Sequence, residues 1–541
     1  MLKQANCLYG PDDSMMPVRI NLGNFLVKGF KKHGDKVAMM NAETEEQITY
    51  NEMVQAAMNL AVSLVRLGVK KGDVVGVCSE SRLENWPTVL GIASTGAVIT
   101  PISTAYIKDE LKHVLNISKP GYLFCSKQTY QMHEAVFKSV ECIKEIIFFD
   151  EERPKGALYY KDLAIVSDGS MIKENVNIED FLAVEVDGVA DTAFIMYSSG
   201  TTGLPKGVML SHLNIIATCT MPDMCDPNLN VLQITPWYHS MGVIAMLLYM
   251  YTGSEIIFMP KFELDFYLRS IEKYKIKKLL LVPSVILGMC KTSFTYDVSS
   301  VEVIVCGAAV LQHDTIQAVR SKFKNLIDVY QGYGMTEATL LISLSSYVNR
   351  QKCKPGSVGK INYNTIVKIV DVETRKPLGP YESGEICFKS PSAMKGYIGR
   401  DKSEDFDDEG FLKTGDIGYY DDEKYLFIVD RLKELIKYKG YQVPPAEIET
   451  LLLQHPGVRD VGVVGLPQAM AGEVPLAFVV PQPGACLSEA ELQTFVADRL
   501  SNPKHLRGGV RFVEKIPRNP TGKILRRNLR EMLKNEKKTL D

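Results

Sequence analysis

Short apolar runs alternate with amphipathic stretches along most of this chain. Val74-Val-Gly-Val-Cys78, Tyr122-Leu-Phe124, Ile146-Ile-Phe-Phe149, Lys278-Leu-Leu-Leu-Val282 and Val301-Glu-Val-Ile-Val305 are short and almost continuously apolar. That is the pattern of strands buried on both faces. Between them, Glu52 to Leu67 and Leu264 to Tyr274 repeat their apolar residues at helical spacing. Strand and helix in alternation predict α/β layers with largely parallel sheets. The most apolar run, Gly242 to Tyr251, is too short to span a bilayer and meets Gly253, Ser254 and Glu255, so it reads as a buried helix.

The pattern changes around Asp430. Lys424-Tyr-Leu-Phe-Ile-Val429 is a strand candidate that ends in the charged connector Asp430-Arg-Leu-Lys-Glu434. Two prolines, Pro444 and Pro445, and two acids then lead into Thr450-Leu-Leu-Leu453, as a helix N-terminus should. Val458 to Val464, Leu476 to Val480 and Leu487 to Leu500 follow as strand, strand and helix. This is a compact α+β unit of roughly 110 residues, an ordinary domain size. The expected division is 1–432 and 433–541.

Composition narrows the class. A chain of 541 residues with 46% apolar and 23% charged residues is a soluble globular protein of several domains or subdomains. Basic and acidic residues number 62 and 64, a formal charge of −2, so no basic excess points to nucleic acid as a partner. The eleven cysteines are scattered, without a Cys-x-x-Cys pair, which favours a reducing intracellular compartment over a disulfide framework or zinc site. Cys306, beside Gly307, reads as a buried free thiol. The N-terminal ten residues lack a signal-peptide core, and the final Lys538-Thr-Leu-Asp541 is not a peroxisomal Ser-Lys-Leu, so a cytoplasmic location is expected.

The chemistry is concentrated in a few segments. Met196-Tyr-Ser-Ser-Gly-Thr-Thr-Gly-Leu-Pro-Lys-Gly-Val208 follows the apolar strand candidate Asp191 to Tyr197. Ser198, Ser199, Thr201 and Thr202 can donate to phosphate oxygens, while Gly200, Gly203 and Gly207 let the backbone approach a ligand. Lys206 adds a mobile cation. The spacing excludes a Walker A loop, because Leu204 and Pro205 separate Gly203 from Lys206. A second segment, Gln331-Gly-Tyr-Gly-Met-Thr-Glu337, offers the aromatic face of Tyr333 to a purine, with Gly332 and Gly334 bringing backbone close. Thr336 can bond a phosphate, and Glu337 supplies a hard oxygen ligand suited to Mg²⁺. Asn519-Pro-Thr-Gly-Lys-Ile524 is a rigid turn that presents Lys523.

Together these motifs resemble the adenylate-forming superfamily of acyl-CoA synthetases, coumarate-CoA ligases and beetle luciferases, in the family's order and from about Asn21 to Leu533. The resemblance implies a large N-terminal domain of layered α/β subdomains, a small β-barrel subdomain, and a smaller mobile α+β C-terminal domain. It places His239, in Trp237-Tyr-His-Ser-Met-Gly242, beside the carboxylate being activated. Asp416, in Lys413-Thr-Gly-Asp416, matches the ribose clamp. Arg431 and Lys433 match the hinge about which the small domain rotates between half-reactions. The resemblance further implies that Lys523 contacts the α-phosphate and carboxylate in the first conformation, and that Lys439 faces the site in the second.

ATP, Mg²⁺ and CoA are the implied cofactor and co-substrates, with a small carboxylic acid as partner. Several positions depart from the family. Cys306-Gly-Ala-Ala309 stands for a common Gly-Gly-Ala-Pro. Thr218, Met241 and Leu340 stand where beetle luciferases usually carry arginine, phenylalanine and serine. A more apolar pocket makes an aliphatic acid, a medium or long fatty acid ahead of an aryl acid, the expected substrate, with adenylation followed by thioester formation. A luciferase that adenylates a luciferin and oxidises it with O₂ is the alternative. A non-catalytic nucleotide binder fits poorly with an intact set of Lys206, Glu337, Asp416, Arg431, Lys439 and Lys523.

Overall fold

A computed structural model describes residues 6–12, 19–198, 204–221, 225–307, 311, 313–346, 352–439, 441–468, 470–518 and 522–540. Two large sheets dominate. The first has eight strands, with Thr192–Ser198, Val98–Pro101, Val74–Cys78, Tyr122–Cys125, Glu145–Phe148 and Leu158–Tyr159 in parallel order. Lys206–Ser211 and then Gly396–Tyr397 extend it antiparallel at one edge. The second has nine strands around a parallel centre of Asp328–Tyr333, Val303–Cys306, Lys278–Leu281, Val231–Gln233 and Ile256–Phe258.

Period-two alternation explains the layering. Val75 and Val77 of one strand enter the core between the sheets, while Val74 and Cys78 face an outer core with the helices Lys108–Ser118 and Lys127–Lys138. Helices Tyr50–Arg66, Asn85–Ser94 and Ser240–Tyr251 fill the central layer. Leu264–Tyr274 covers the far face of the second sheet. The run Gly242–Tyr251 lies almost wholly in the central core, which accounts for its apolarity on all sides. Thr49 and Glu52 start the Tyr50–Arg66 helix with a reciprocal capping box.

A five-stranded antiparallel sheet forms the small all-β subdomain: Cys7–Tyr9, Ile366–Val370, Gly384–Lys389, Leu412–Tyr420 and Leu426–Arg431. Here one expectation is corrected. Asp430 and Arg431 are not a connector but the end of the last strand, because Arg431 and Asp416 pair across the ladder.

The smaller C-terminal domain begins its own sheet at Ile436–Tyr438, built around the long hairpin Val458–Gln468 and Gly472–Pro481. Val461, Val463, Ala477 and Val479 pack under the helices Pro445–Leu453 and Glu489–Ala497. Val464, Leu476 and Phe478 face the other way, against Leu529 and Leu533 of the terminal helix Arg526–Leu540. The chain is thus a mixed α/β protein of a large N-terminal and a smaller C-terminal domain. Among the described residues, no helix is long and apolar enough to cross a membrane.

Candidate active site

The carboxyl ends of parallel strands are where α/β sheets leave backbone and side chains free for ligands. At one such end Tyr333 closes the strand Asp328–Tyr333 and is buried. Its hydroxyl donates to Asp416 Oδ2 at 2.8 Å. Arg431 Nε lies 3.2 Å from the other oxygen, Asp416 Oδ1. One carboxylate therefore joins the second large sheet to the antiparallel sheet. Burial raises the Asp416 pKa, and the Arg431 guanidinium and the Tyr333 hydroxyl oppose that rise.

The backbone beyond Tyr333 turns tightly. A Cβ at Gly334 would sit 1.8 Å from the Leu340 carbonyl oxygen, so only glycine fits. The 3₁₀ turn Thr336–Ala338 follows and holds Thr336 and Glu337 at the site. Glu337 is buried, and its Oε1 accepts a hydrogen bond from the Tyr397 hydroxyl at 2.6 Å. The Lys206 ammonium lies 4.7 Å from the centroid of the same tyrosine ring. Burial lowers the Lys206 pKa, and nearby Arg400 lowers it further.

Lys523 reaches this cluster from the C-terminal domain. Its pKa is pushed down to about 8, first by burial and then by Arg431, while Asp416 and Glu337 oppose the fall. His239 stands opposite, at the N-cap of the helix Ser240–Tyr251. Its Nε2 is buried without a hydrogen-bond partner. Burial, then Lys523, push the His239 pKa down to about 4, so the imidazole is neutral near pH 7. Trp237 holds this loop in place by donating from Nε1 to the Ser79 carbonyl oxygen at 2.7 Å. A Cβ at Gly242 would lie 2.0 Å from the Pro236 carbonyl oxygen, a second position closed to side chains.

Residues 27–398 match the family model described as AMP-binding enzyme, and residues 447–523 match that of its C-terminal domain. The chain belongs to the AMP-binding enzyme family. It is 38% identical to the luciferin 4-monooxygenase of Photuris pensylvanica over 553 aligned positions, covering 100% of both chains. It is 36% identical to the probable 4-coumarate–CoA ligase 3 of Dictyostelium discoideum, covering 94% of each. Among solved structures, ATP-bound MatB from Rhodopseudomonas palustris superposes with a TM-score of 0.83 at 29% identity, over 95% of this chain and 99% of that one.

In this AMP-binding enzyme the expected residues divide into two groups. Tyr333, Glu337, Asp416, Arg431, Lys523 and His239 share one neighbourhood through the contacts above, with Lys206 beside Glu337 across Tyr397. Ser198 ends the strand Thr192–Ser198 and pairs in register with Lys206, which opens Lys206–Ser211. Lys206 is thus a strand residue. The intervening Ser199, Gly200, Thr201, Thr202 and Gly203 lie outside the described residues. Gly332 packs against Leu344 and Leu341.

Lys439 stands apart. It is exposed, with a left-handed φ of 45°. Its backbone N–H donates to the Ala471 carbonyl oxygen at 2.9 Å, and its ammonium lies 5.6 Å from the Tyr438 ring centroid. Cys306 is buried and its thiol is pushed up to about 12, which fits an inert core residue.

Sequence reasoning missed Tyr397. Nothing in its local pattern marks it, and only the pairing of Val208 with Tyr397 brings its hydroxyl to Glu337. Among the described residues no group of three or more His, Cys, Asp or Glu side chains could hold a metal. A cation at Glu337 would take its remaining ligands from nucleotide phosphates and water, the habit of Mg²⁺.

Proposed function

We propose that this AMP-binding enzyme joins a carboxylic acid to CoA in two steps, through an acyl-adenylate. The observation that carries the reading is the placement of the half-buried Lys523 in the field of Asp416, Arg431 and Glu337, near enough to act on His239, whose Nε2 is buried without a hydrogen-bond partner. A cation whose pKa is lowered in this way is stabilised further when additional anionic charge approaches it. The α-phosphate of ATP and the attacking carboxylate would supply that charge.

A carboxylate is a poor acyl donor because its leaving group would be oxide. Its attack on the α-phosphorus forms a mixed anhydride with AMP and expels pyrophosphate. Negative charge then gathers on phosphoryl oxygens, and the task of the protein is to meet it with fixed positive charge and donors. Asp416 would accept from the ribose hydroxyls, and the Tyr333 ring would lie against the adenine. Lys523 would bond the α-phosphate and carboxylate oxygens, while Lys206 holds the more distal phosphates. His239, neutral and unbonded at Nε2, would donate to the acid. Mg²⁺ bound at Glu337 would neutralise phosphate oxygens.

In the second step the small domain, bounded at Leu432, would turn about Lys433. That movement withdraws Lys523 and brings Lys439 inward, so that a thiol can attack the acyl carbon and release AMP.

The surroundings favour an aliphatic acid. Thr218 spends its hydroxyl on the Asn214 carbonyl oxygen at 3.0 Å, Leu340 is buried, and Met241 packs against Gly307. No free polar group at these three positions calls for a polar substrate. The test is product analysis with ATP, Mg²⁺ and a panel of acids, with and without CoA, under a luminometer. Acyl-CoA from aliphatic acids without light supports the proposal. Light from a luciferin with little acyl-CoA replaces it with a luciferase, the second reading favoured by the full-length likeness to the Photuris enzyme.

A further inference from the structure

Arg400 belongs to none of the segments singled out from the sequence, yet it stands beside the cluster. Its guanidinium carbon lies 5.7 Å from the centroid of the Tyr397 ring that Lys206 approaches to 4.7 Å. Two cations thus flank one aromatic ring, and that ring's hydroxyl is bonded to Glu337. Lys433 is near enough to act on Lys206 as a third positive charge.

The counter-ions of Arg400 are poorly fitted. Its Nη2 lies 3.2 Å from Asp405 Oδ1 and its Nε 2.9 Å from Glu404 Oε2. Nε nevertheless makes no aligned hydrogen bond, and the buried Asp405 Oδ2 has no hydrogen-bond partner at all. Both orphaned atoms are costly in a settled ion pair. They make sense in a pair that is a resting arrangement, exchanged for another when an anion arrives. A guanidinium presents five donors in a planar fork that matches phosphate oxygens, and this one is about one-third exposed, so it can be reached.

The contacts also link the site residue to residue. Tyr333 is bonded to Asp416, Lys523 lies in the field of both Asp416 and Glu337, Glu337 is bonded to Tyr397, and Lys206 and Arg400 approach the Tyr397 ring. A nucleotide laid with its ribose at Asp416 and its α-phosphate at Lys523 would carry its outer phosphates toward Lys206 and Arg400.

We propose that Arg400 binds the terminal phosphates of ATP and the pyrophosphate leaving group, with Asp405 as its counter-ion when no nucleotide is bound. The inference rests on the adenylation reading above. AMP lacks those phosphates, so the contact would separate ATP and pyrophosphate from AMP.

Calorimetric titration of the full chain with inorganic pyrophosphate and, separately, with AMP tests this. Arg400→Gln should weaken pyrophosphate by roughly ten- to a hundredfold, the span of a charge-assisted pair. AMP affinity should stay within about twofold, as for a residue remote from it. Arg400→Lys should recover part of the loss, because it keeps the charge without the fork. Asp405→Asn should strengthen pyrophosphate binding, and this variant leaves the arginine in place if its replacement disturbs folding. Unchanged pyrophosphate affinity in Arg400→Gln, equal weakening of both ligands, or no pyrophosphate binding by the parent chain would overturn the assignment. In acid-dependent exchange of pyrophosphate into ATP, the KM for pyrophosphate should rise in Arg400→Gln with kcat nearly unchanged. A parent chain that exchanges with no acid would defeat the adenylation reading, and the calorimetric comparison would then decide the role of Arg400 by itself.

Discussion

Lys523 and Lys439 are carried by the same small domain and meet opposite environments. Lys523 is half-buried in the field of Arg431, Asp416 and Glu337, with its pKa drawn down to about 8. Lys439 is exposed, held in a left-handed backbone conformation at φ 45° that costs of order 1 kcal/mol for a residue other than glycine. One lysine is committed to the cluster, whereas the other is kept outside at some backbone expense. The contrast teaches that a single domain orientation can offer only one of them to a bound substrate, so a two-step reaction using both needs the domain to move.

The most forceful way to break this comparison is to remove each lysine and time the half-reactions separately. Lys523→Ala should slow adenylation by about 10²–10³-fold, the worth of one preorganised transition-state contact. Thioester formation from supplied acyl-adenylate should remain largely intact in single-turnover assays. Lys439→Ala should do the reverse with a smaller loss, roughly tenfold, as befits a solvated side chain whose charge is partly screened. Equal loss of both half-reactions in either variant would sink the division of labour.

A pH profile sharpens the same contrast. Below about pH 8 Lys523 is charged and competent, so kcat/KM for ATP in adenylation should fall as pH rises through about 8. The Lys523→Ala variant should lack that limb.

The smallest effect concerns stability. A lysine at its ordinary 10.5 in the unfolded chain and about 8 when folded takes up more protons on unfolding between those values. Stability of the parent chain should therefore rise with pH from about 8 to 10.5 through this group. Lys523→Met should remove that slope and raise Tm near neutral pH by about 2 °C in ligand-free protein. A lower Tm at pH 7 would mean that the burial of Lys523 is better compensated than its surroundings indicate.

Much of the fold was legible because its signals are local. Val74–Cys78 and Leu264–Tyr274 stand where their periodicity puts them, since buried strands and amphipathic helices declare themselves in a few residues. The N-terminal strand Cys7–Tyr9 was not legible. Three residues carry too little pattern, and their partner lies at Ile366–Val370. The same reasoning covers the site. Gly334, Glu337 and Lys523 sit in short motifs with mixed glycine, acid and base, whereas Tyr397 lies in the edge strand Gly396–Tyr397, placed by its pairing with Lys206–Ser211, and Arg400 follows it. In sequence the charged run that holds Arg431 reads as a connector. The pairing of Arg431 with Asp416 keeps it in the ladder.

The walls at Gly334 and Gly242 are made of backbone, and that limits how this pocket can change over time. At both positions the first carbon of any side chain would strike a carbonyl oxygen of the main chain, which cannot swing aside. At Gly307 the nearest atom is instead the Met241 sulfur, 3.2 Å away at the flexible end of a side chain. A side chain at Gly307 could therefore be met by a smaller residue at Met241, so the two positions can be traded against each other. At Gly334, beside Tyr333, and at Gly242 no such exchange is open, so these two positions stay fixed while the Met241–Gly307 contact can vary.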